Sequence, residues 1–363
     1  ALWILIANAW MQHPVGSHFN YQSLRMEVSD FSAILFNPVA QAKFVHTVSA
    51  GYVTGSVFVL AISAYFLLKK RNREFALRSM AVAASFGLAA ALSAIVLGDE
   101  SGYLAGENQK MKLAAIEGAW HTEAAPASLT VFGFPNQQTH TVDDAIKIPF
   151  VLGLIATRSI DTPITGIEEL AKENALRIED GILAYSALRV LLNDPSNKSA
   201  QKQLAAHENN LGYSLLLKRY TNNIVDATPA QIHQAAQDTI PHVAPLFWSF
   251  RIMVACAFFF LGLFGLAFYL SCKRRLENKW FLRLALFSLP LPWLASETGW
   301  FVAENGRQPW AIDGILPTYL GTSSLATSDL WISLAGFVIF YTALAIVEVY
   351  LMVKYIRLGP DNY

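Results

Sequence analysis

A histidine and a methionine stand at matching depths in two apolar runs of this 363-residue chain. His46 follows Pro38 by eight residues in NPVAQAKFVHTVSAGYVTG, roughly 12 Å along a helix rising about 1.5 Å per residue. Met253 follows Pro245 by eight residues in PLFWSFRIMVAC, entering from the same side. A neutral imidazole and a thioether at equal depth on two helices can act as the axial pair of a low-spin heme. The other reading makes His46 an interhelical hydrogen-bonding residue and Met253 packing. Arg251 lies two residues before Met253, and a charge inside a bilayer calls for a partner. A heme propionate, or the charge change on iron reduction, supplies one. Ser49, Ala50, Gly51 and Gly55, just past His46, are small enough to let a flat ligand or another helix approach.

A second group closes the run PLPWLASETGWFVAENGRQPW. Trp300, Glu304 and Arg307 share a helical face if the helix persists, and Glu297 is a second carboxylate deeper in the run. Glu304 is either an iron ligand, with Trp300 on the macrocycle and Arg307 on a propionate, or a helix-end carboxylate paired with Arg307. In KMKLAAIE, Lys112 and Glu117 read on their own as solvated surface charge. The two cysteines, Cys256 and Cys272, offer neither a disulfide framework nor a C-x-x-C-H heme attachment, and read as reduced packing thiols.

The elements that must carry these residues are membrane helices. The chain is 54% hydrophobic and only 15% charged, with mean hydropathy +0.35. A soluble domain is nearer a quarter charged. Full-length apolar runs cover 39–68, 75–97, 243–271, 280–303 and 330–355, each long enough to cross a bilayer. The opening ALWILIANAWM is too short to cross and reads as the tail of a helix, so the chain is expected to be a fragment of a longer protein. Lys69, Lys70, Arg71, Arg73 and Arg78 crowd one junction, and Lys273, Arg274, Arg275, Lys279 and Arg283 another. The positive-inside rule puts these in the cytoplasm. Residues 99–242 then lie outside, with 17 acidic against 11 basic side chains and helical patterns at 166–192 and 201–220. The expected fold is an all-α integral membrane bundle of about five full helices and one partial. Its divisions are a membrane part at 1–98, an outer loop at 99–242 and a second membrane part at 243–363. Zero formal net charge gives no sign of nucleic-acid binding. An ion-coupled transporter would use the same buried Arg, Glu and His, but neither inverted repeats nor broken helices are visible. A non-catalytic scaffold would use them only as helix contacts.

The motifs KFVHTVSAGYVTG, GDESGY, KLAAIE, FRIMVAC, GWFVAENGRQPWAI and YIRLGP, in this order, resemble the large, heme-carrying subunit of the cytochrome bd ubiquinol oxidases, in the long-loop enterobacterial form. The resemblance runs essentially from end to end. It implies nine membrane helices in the whole subunit, of which this chain corresponds to the end of the fourth through the ninth. It further implies that His46 and Met253 ligate a low-spin heme b with Arg251 beside it. Glu304 would ligate a high-spin heme b near Trp300 and Arg307, and Lys112 and Glu117 would handle quinol. Heme d completes the family's set, but its histidine ligand belongs upstream of residue 1. The implied activity oxidises ubiquinol or menaquinol at the periplasmic face of the bacterial inner membrane and reduces O2 to water, generating proton motive force without pumping. The implied partners are a second large membrane subunit, one or more small single-helix subunits, and the lipid bilayer.

Overall fold

The computed structural model describes residues 2–360. Helix α1 (Leu2–Gln12) leads through a hairpin of β1 (Ser17–Asn20) and β2 (Arg25–Val28) to α2 (Phe31–Leu35) and the long α3 (Pro38–Leu68). Proline at the first position of α3 loses no hydrogen bond, because that N–H is unpaired in any helix. Asn37 Oδ1 caps the next N–H, that of Val39, at 3.0 Å. Then come α4 (Arg73–Asn108), α5 (Lys110–Glu117), the hairpin β3 (Leu129–Asn136)–β4 (Thr141–Ile148), α6 (Val151–Thr157), α7 (Ile167–Asn193), α8 (Lys198–His207), α9 (Leu211–Ser214) and α10 (Pro229–Gln237). The chain continues through α11 (Val243–Cys272), α12 (Lys279–Phe287), α13 (Leu291–Asn305), the short pair β5 (Trp310–Ile312)–β6 (Leu316–Pro317), and α14 (Thr327–Leu358).

The fold is an all-α membrane bundle, with small antiparallel hairpins that the sequence reading did not anticipate. Among the described residues four stretches are long and apolar enough to cross a membrane: Phe31–Leu68, Arg73–Asn108, Val243–Cys272 and Thr327–Leu358. The fifth expected run, 280–303, is two helices. Pro290 and Pro292 lack the N–H that a continuing helix needs, and the chain turns over 288–290 between α12 and α13. Helix α4 runs beyond 97 to Asn108, its extension held by Arg158, which reaches Asp99 at 2.5 Å and Glu100 at 3.0 Å. The pattern at 166–192 is realised in α7, which buries Ile167, Leu170, Ile178, Leu188 and Leu191 on one stripe. The pattern at 201–220 breaks instead into α8, α9 and two 3-10 turns. Both cysteines are free, Cys256 buried and Cys272 exposed.

Two compact units divide the contacts. One takes the chain up to Ala50, Leu92–Phe258 and Trp293–Gly321, and holds every candidate site residue. Within it, Ala114, Ala115, Trp120, Ile167, Leu170, Val243 and Leu246 form a core that fixes α5 against α7 and the start of α11. The other takes Gly51–Ala91, Phe259–Pro292 and the chain from Thr322 onward. There the Phe264 ring packs on Gly87, and Arg73 makes a forked pair with Glu277 at 2.7 and 2.8 Å. The apolar side chains of α14, among them Ile332, Phe337, Ile339 and Ile346, are exposed along its length, as lipid contact requires.

Helix α5 ends at Gly118, whose φ of +66° and capping N–H bonds to Ala114 and Ala115 make a left-handed C-terminal stop. A Cβ here would lie 2.8 Å from Val142 Cγ2. Gly118→Ala is therefore expected to destabilise the fold by more than about 1 kcal/mol. Thermal unfolding of the detergent-solubilised protein checks this, and an unchanged midpoint contradicts it.

Candidate functional site

Two of the three charged residues of α5 are buried, Lys112 at 5% and Glu117 at 3% exposure, so the surface-charge reading fails for each. Five residues apart on a helix of 3.6 per turn, their side chains diverge by about 140° and enter different surroundings. Lys112 Nζ donates to Gln109 Oε1 at 2.6 Å and Gln12 Oε1 at 3.2 Å. Both acceptors are neutral, and an ammonium has three N–H donors. Burial pulls its pKa down to about 7. The stem of Lys112 crosses Gly306, where a Cβ would lie 2.8 Å from its Cγ. Gln109, Lys112, Arg177, Tyr213, Gln308 and Asp313 face one cavity of about 270 Å³.

Lys112 is one end of a hydrogen-bonded chain. Gln12 donates to Asn8 Oδ1 at 2.9 Å, Lys43 donates to the same oxygen at 2.8 Å, and Asn8 Nδ2 donates to Glu304 Oε1 at 2.7 Å. The other oxygen of Glu304 accepts from Arg307 Nη2 at 2.6 Å. The pairing of Glu304 with Arg307 is thus present. Arg307 is 7% exposed, and its Nε and Nη1 are buried with no partner. Two orphaned guanidinium donors aimed into the protein suit an anionic group such as a propionate. The Trp300 ring is 48% exposed.

Glu117 meets Arg251, which the sequence left without a protein partner. Arg251 Nη2 lies 3.3 Å from Glu117 Oε2, and the same guanidinium donates to Phe247 O at 3.0 Å, Ile116 O at 2.8 Å and the carbonyl of Thr130. Its Cζ sits 3.2 Å over the Phe247 ring centre. The counter-ion sought in a propionate is in this structure a carboxylate from α5, while Arg251 Nε stays buried and unpartnered. Burial pushes the Glu117 carboxyl up to about 7, against the opposing pull of Arg251 and the Thr130 N–H.

His46 Nδ1 lies 3.0 Å from the Ala94 carbonyl on α4. A carbonyl only accepts, so Nδ1 carries the proton and Nε2 keeps its lone pair, the arrangement that prepares an imidazole for iron. Gly98 lets α4 come close: a Cβ there would stand 3.4 Å from the His46 ring. Ser49 bonds Ser93 at 2.9 Å, whereas Gly51 and Gly55 have no heavy atom within 4 Å of where a Cβ would be. Met253 Sδ rests against Gly299 of α13, 2.8 Å from an ideal Cβ position. Among the described residues no cluster of three or more His, Cys, Asp or Glu is placed to hold a metal ion. The unbonded Nε2 of His46 and the orphaned Arg307 donors fit a heme, which His46, Met253 and Glu304 would each meet as single ligands.

Sequence reasoning missed Asn8, Gln12, Lys43, Gln109 and Asp313. Asn8 and Gln12 carried a signal: two amides at i and i+4 in an apolar helix share a face and need partners there.

The family model for cytochrome bd terminal oxidase subunit I matches residues 1–360. The chain is 47% identical over 362 residues to cytochrome bd-II ubiquinol oxidase subunit 1 of Escherichia coli K12, covering 99% of this chain and 70% of that one. It is 29% identical over 366 residues to cytochrome bd ubiquinol oxidase subunit 1 of Bacillus subtilis 168, covering all of this chain and 65% of that one. A chain of the solved bd oxidase of Geobacillus thermodenitrificans shares the fold at a TM-score of 0.71 and 21% identity, over 99% of this chain and 67% of that one. Buried lysine and glutamate on α5, a ligand-ready histidine and a Glu–Arg pair with spare donors thus sit on a shared fold, and the chain belongs to the cytochrome bd terminal oxidase subunit I family.

Proposed function

We infer that this chain is the quinol-oxidising part of a terminal oxidase, taking electrons from a quinol and passing them through heme towards dioxygen. It works in a membrane, as one subunit of several. Heme, the family's cofactor, supplies the one-electron steps; His46 and Met253 hold a low-spin heme b, and Glu304 a high-spin heme b. Residues 99–242 form the periplasmic quinol loop between the two membrane parts, 1–98 and 243–363, in the bacterial inner membrane. The remaining heme d and the other subunits complete the oxygen-reducing site.

The observation that carries this reading is the burial of Lys112 and Glu117 on a short helix directly after a membrane helix. A lysine bonded only to neutral amides can give its third N–H to a quinol oxygen. A carboxyl held near 7 can take a proton at neutral pH, because a base works best with its pKa near the operating pH. Arg251 joins Glu117 to the helix that carries Met253, so the proton-accepting carboxyl is ion-paired to a residue two positions from the residue that would hold the heme.

Lys112→Met and Glu117→Gln, each close in size and uncharged, are expected to slow quinol oxidation or raise its KM by about 10-fold or more while heme spectra stay normal. Wild-type quinol kinetics in the double variant would remove the site from α5.

A further inference from the structure

The cavity beside Lys112 has a second ionisable wall. Asp313 projects from the turn between β5 and β6 and is half-buried there. Three features hold the turn. The Asp313 N–H donates to Met11 O at 2.9 Å, at the end of α1. Gly314 takes a φ of +65° and lies within contact of the Tyr213 ring. Gly212 of α9 lets the Gly314 carbonyl approach so closely that any side chain would collide. The carboxyl is thus preorganised on the cavity wall rather than carried on a loose loop.

We propose that Asp313 is the proton-accepting partner of Lys112, receiving through this cavity one of the two protons that quinol releases. The proposal rests on Lys112 being a quinol contact. When quinol becomes quinone, two O–H bonds break and two electrons leave through the oxidase. One proton goes to the Glu117 carboxylate and the other, directly or through one water, to the Asp313 carboxylate. Asp313 then loses it to water, while the Lys112 ammonium keeps the quinol oxygen in place.

The charges facing Asp313 are mixed. Lys112 from α5, Arg177 from α7 and Arg307 after α13 favour the carboxylate, and burial opposes them and prevails, leaving its pKa raised to about 6. Lys110 from α5, Glu107 from α4 and Glu173 from α7 border the same space. Tyr213 from α9 is held by Arg177 at 2.8 Å, its hydroxyl pushed up by burial, so it stays protonated at neutral pH. Two groups of this wall therefore change charge near neutrality, Asp313 at about 6 and Lys112 at about 7, and of the two it is the carboxylate that can accept a proton below 7.

The test uses the assembled oxidase, with quinol turnover followed from pH 5 to 8 and proton release read by an external pH dye in vesicles. In wild type, kcat should rise with pH in two limbs, one near 6 as Asp313 ionises and one near 7 as Glu117 does. Asp313→Asn should lower kcat by about 10-fold or more above pH 6, remove the limb near 6 while keeping the one near 7, and delay proton release, with KM and heme spectra unchanged. Asp313→Glu should restore the lost limb. A wild-type pH profile and prompt release in Asp313→Asn overturn the proposal. So does an equal loss at every pH accompanied by loss of heme, which marks a structural role. Lys112→Met separates the two readings. If it leaves quinol kinetics untouched, the underlying site is wrong; if it impairs them and Asp313→Asn does not, only the role of Asp313 falls.

Discussion

Alanine in place of Glu304 is expected to cost the oxidase its high-spin heme and to lower quinol-to-oxygen turnover by more than about 100-fold, because losing a ligand exceeds the 10–100-fold typical of its supporting contacts. The geometry makes the effect severe on the protein side as well. Glu304 accepts from Asn8 at 2.7 Å and from Arg307 at 2.6 Å, and Arg307 already has two buried donors without partners. Removing the carboxylate leaves a nearly buried guanidinium with no acceptor for Nη2, and an unpaired buried charge of this kind costs about 3–5 kcal/mol. Glu304→Gln separates charge from shape. Its carbonyl can still accept from Arg307, but its amide then faces the Asn8 donor, so one of the two bonds is lost. The low-spin heme should survive in both variants, since the His46 hydrogen bond runs to the Ala94 carbonyl and involves neither Glu304 nor Arg307. Reduced-minus-oxidised spectra decide the matter: loss of both hemes together, or of neither, refutes Glu304 as a separate ligand.

Much of this was legible in the residues because bilayer physics constrains sequence strongly. The sequence singled out His46 and Met253 by their equal distances past a proline, and four long apolar runs became helices. The fifth failed where Pro290 and Pro292 interrupt it, a local rule outweighed by overall apolarity when the run was read as one span. The α5 residues were misjudged for a different reason. KMKLAAIE alternates charge and apolar residues, and nothing in eight residues says that Gln12, Gly306 and the β3–β4 hairpin will close over it. Lys112 and Glu304 each take one partner from α1, the neutral amides Gln12 and Asn8, distant in sequence by 100 and 296 residues. Hydropathy cannot see such pairings. The hairpin is equally hidden, since its exposed Phe132, Phe134 and Ile146 follow no clean alternation.

Cutting the Glu117–Arg251 pair from one side is expected to destabilise the protein more than removing the pair entirely. Side-chain exposures of 3% and 10% leave neither group enough water to replace its partner. Glu117→Ala strands the guanidinium, which keeps the carbonyls of Phe247, Ile116 and Thr130 but loses its one opposite charge among the described residues. Arg251→Leu strands the carboxyl, which at a pKa near 7 already sits close to neutralising itself by taking a proton. The two single variants should therefore differ: about 3–5 kcal/mol for Glu117→Ala, and less for Arg251→Leu at or below neutral pH. The double variant, having no charge left to strand, should recover part of the loss, giving a coupling of about 0.5–3 kcal/mol. The same series tests whether Arg251 also acts on the low-spin heme. Its positive charge favours reduced iron, so Arg251→Leu should lower the midpoint potential, whereas Glu117→Ala, by unmasking that charge, should raise it. Equal thermal shifts in the two single variants, with potentials unmoved in heme-retaining protein, would reduce this ion pair to a helix contact.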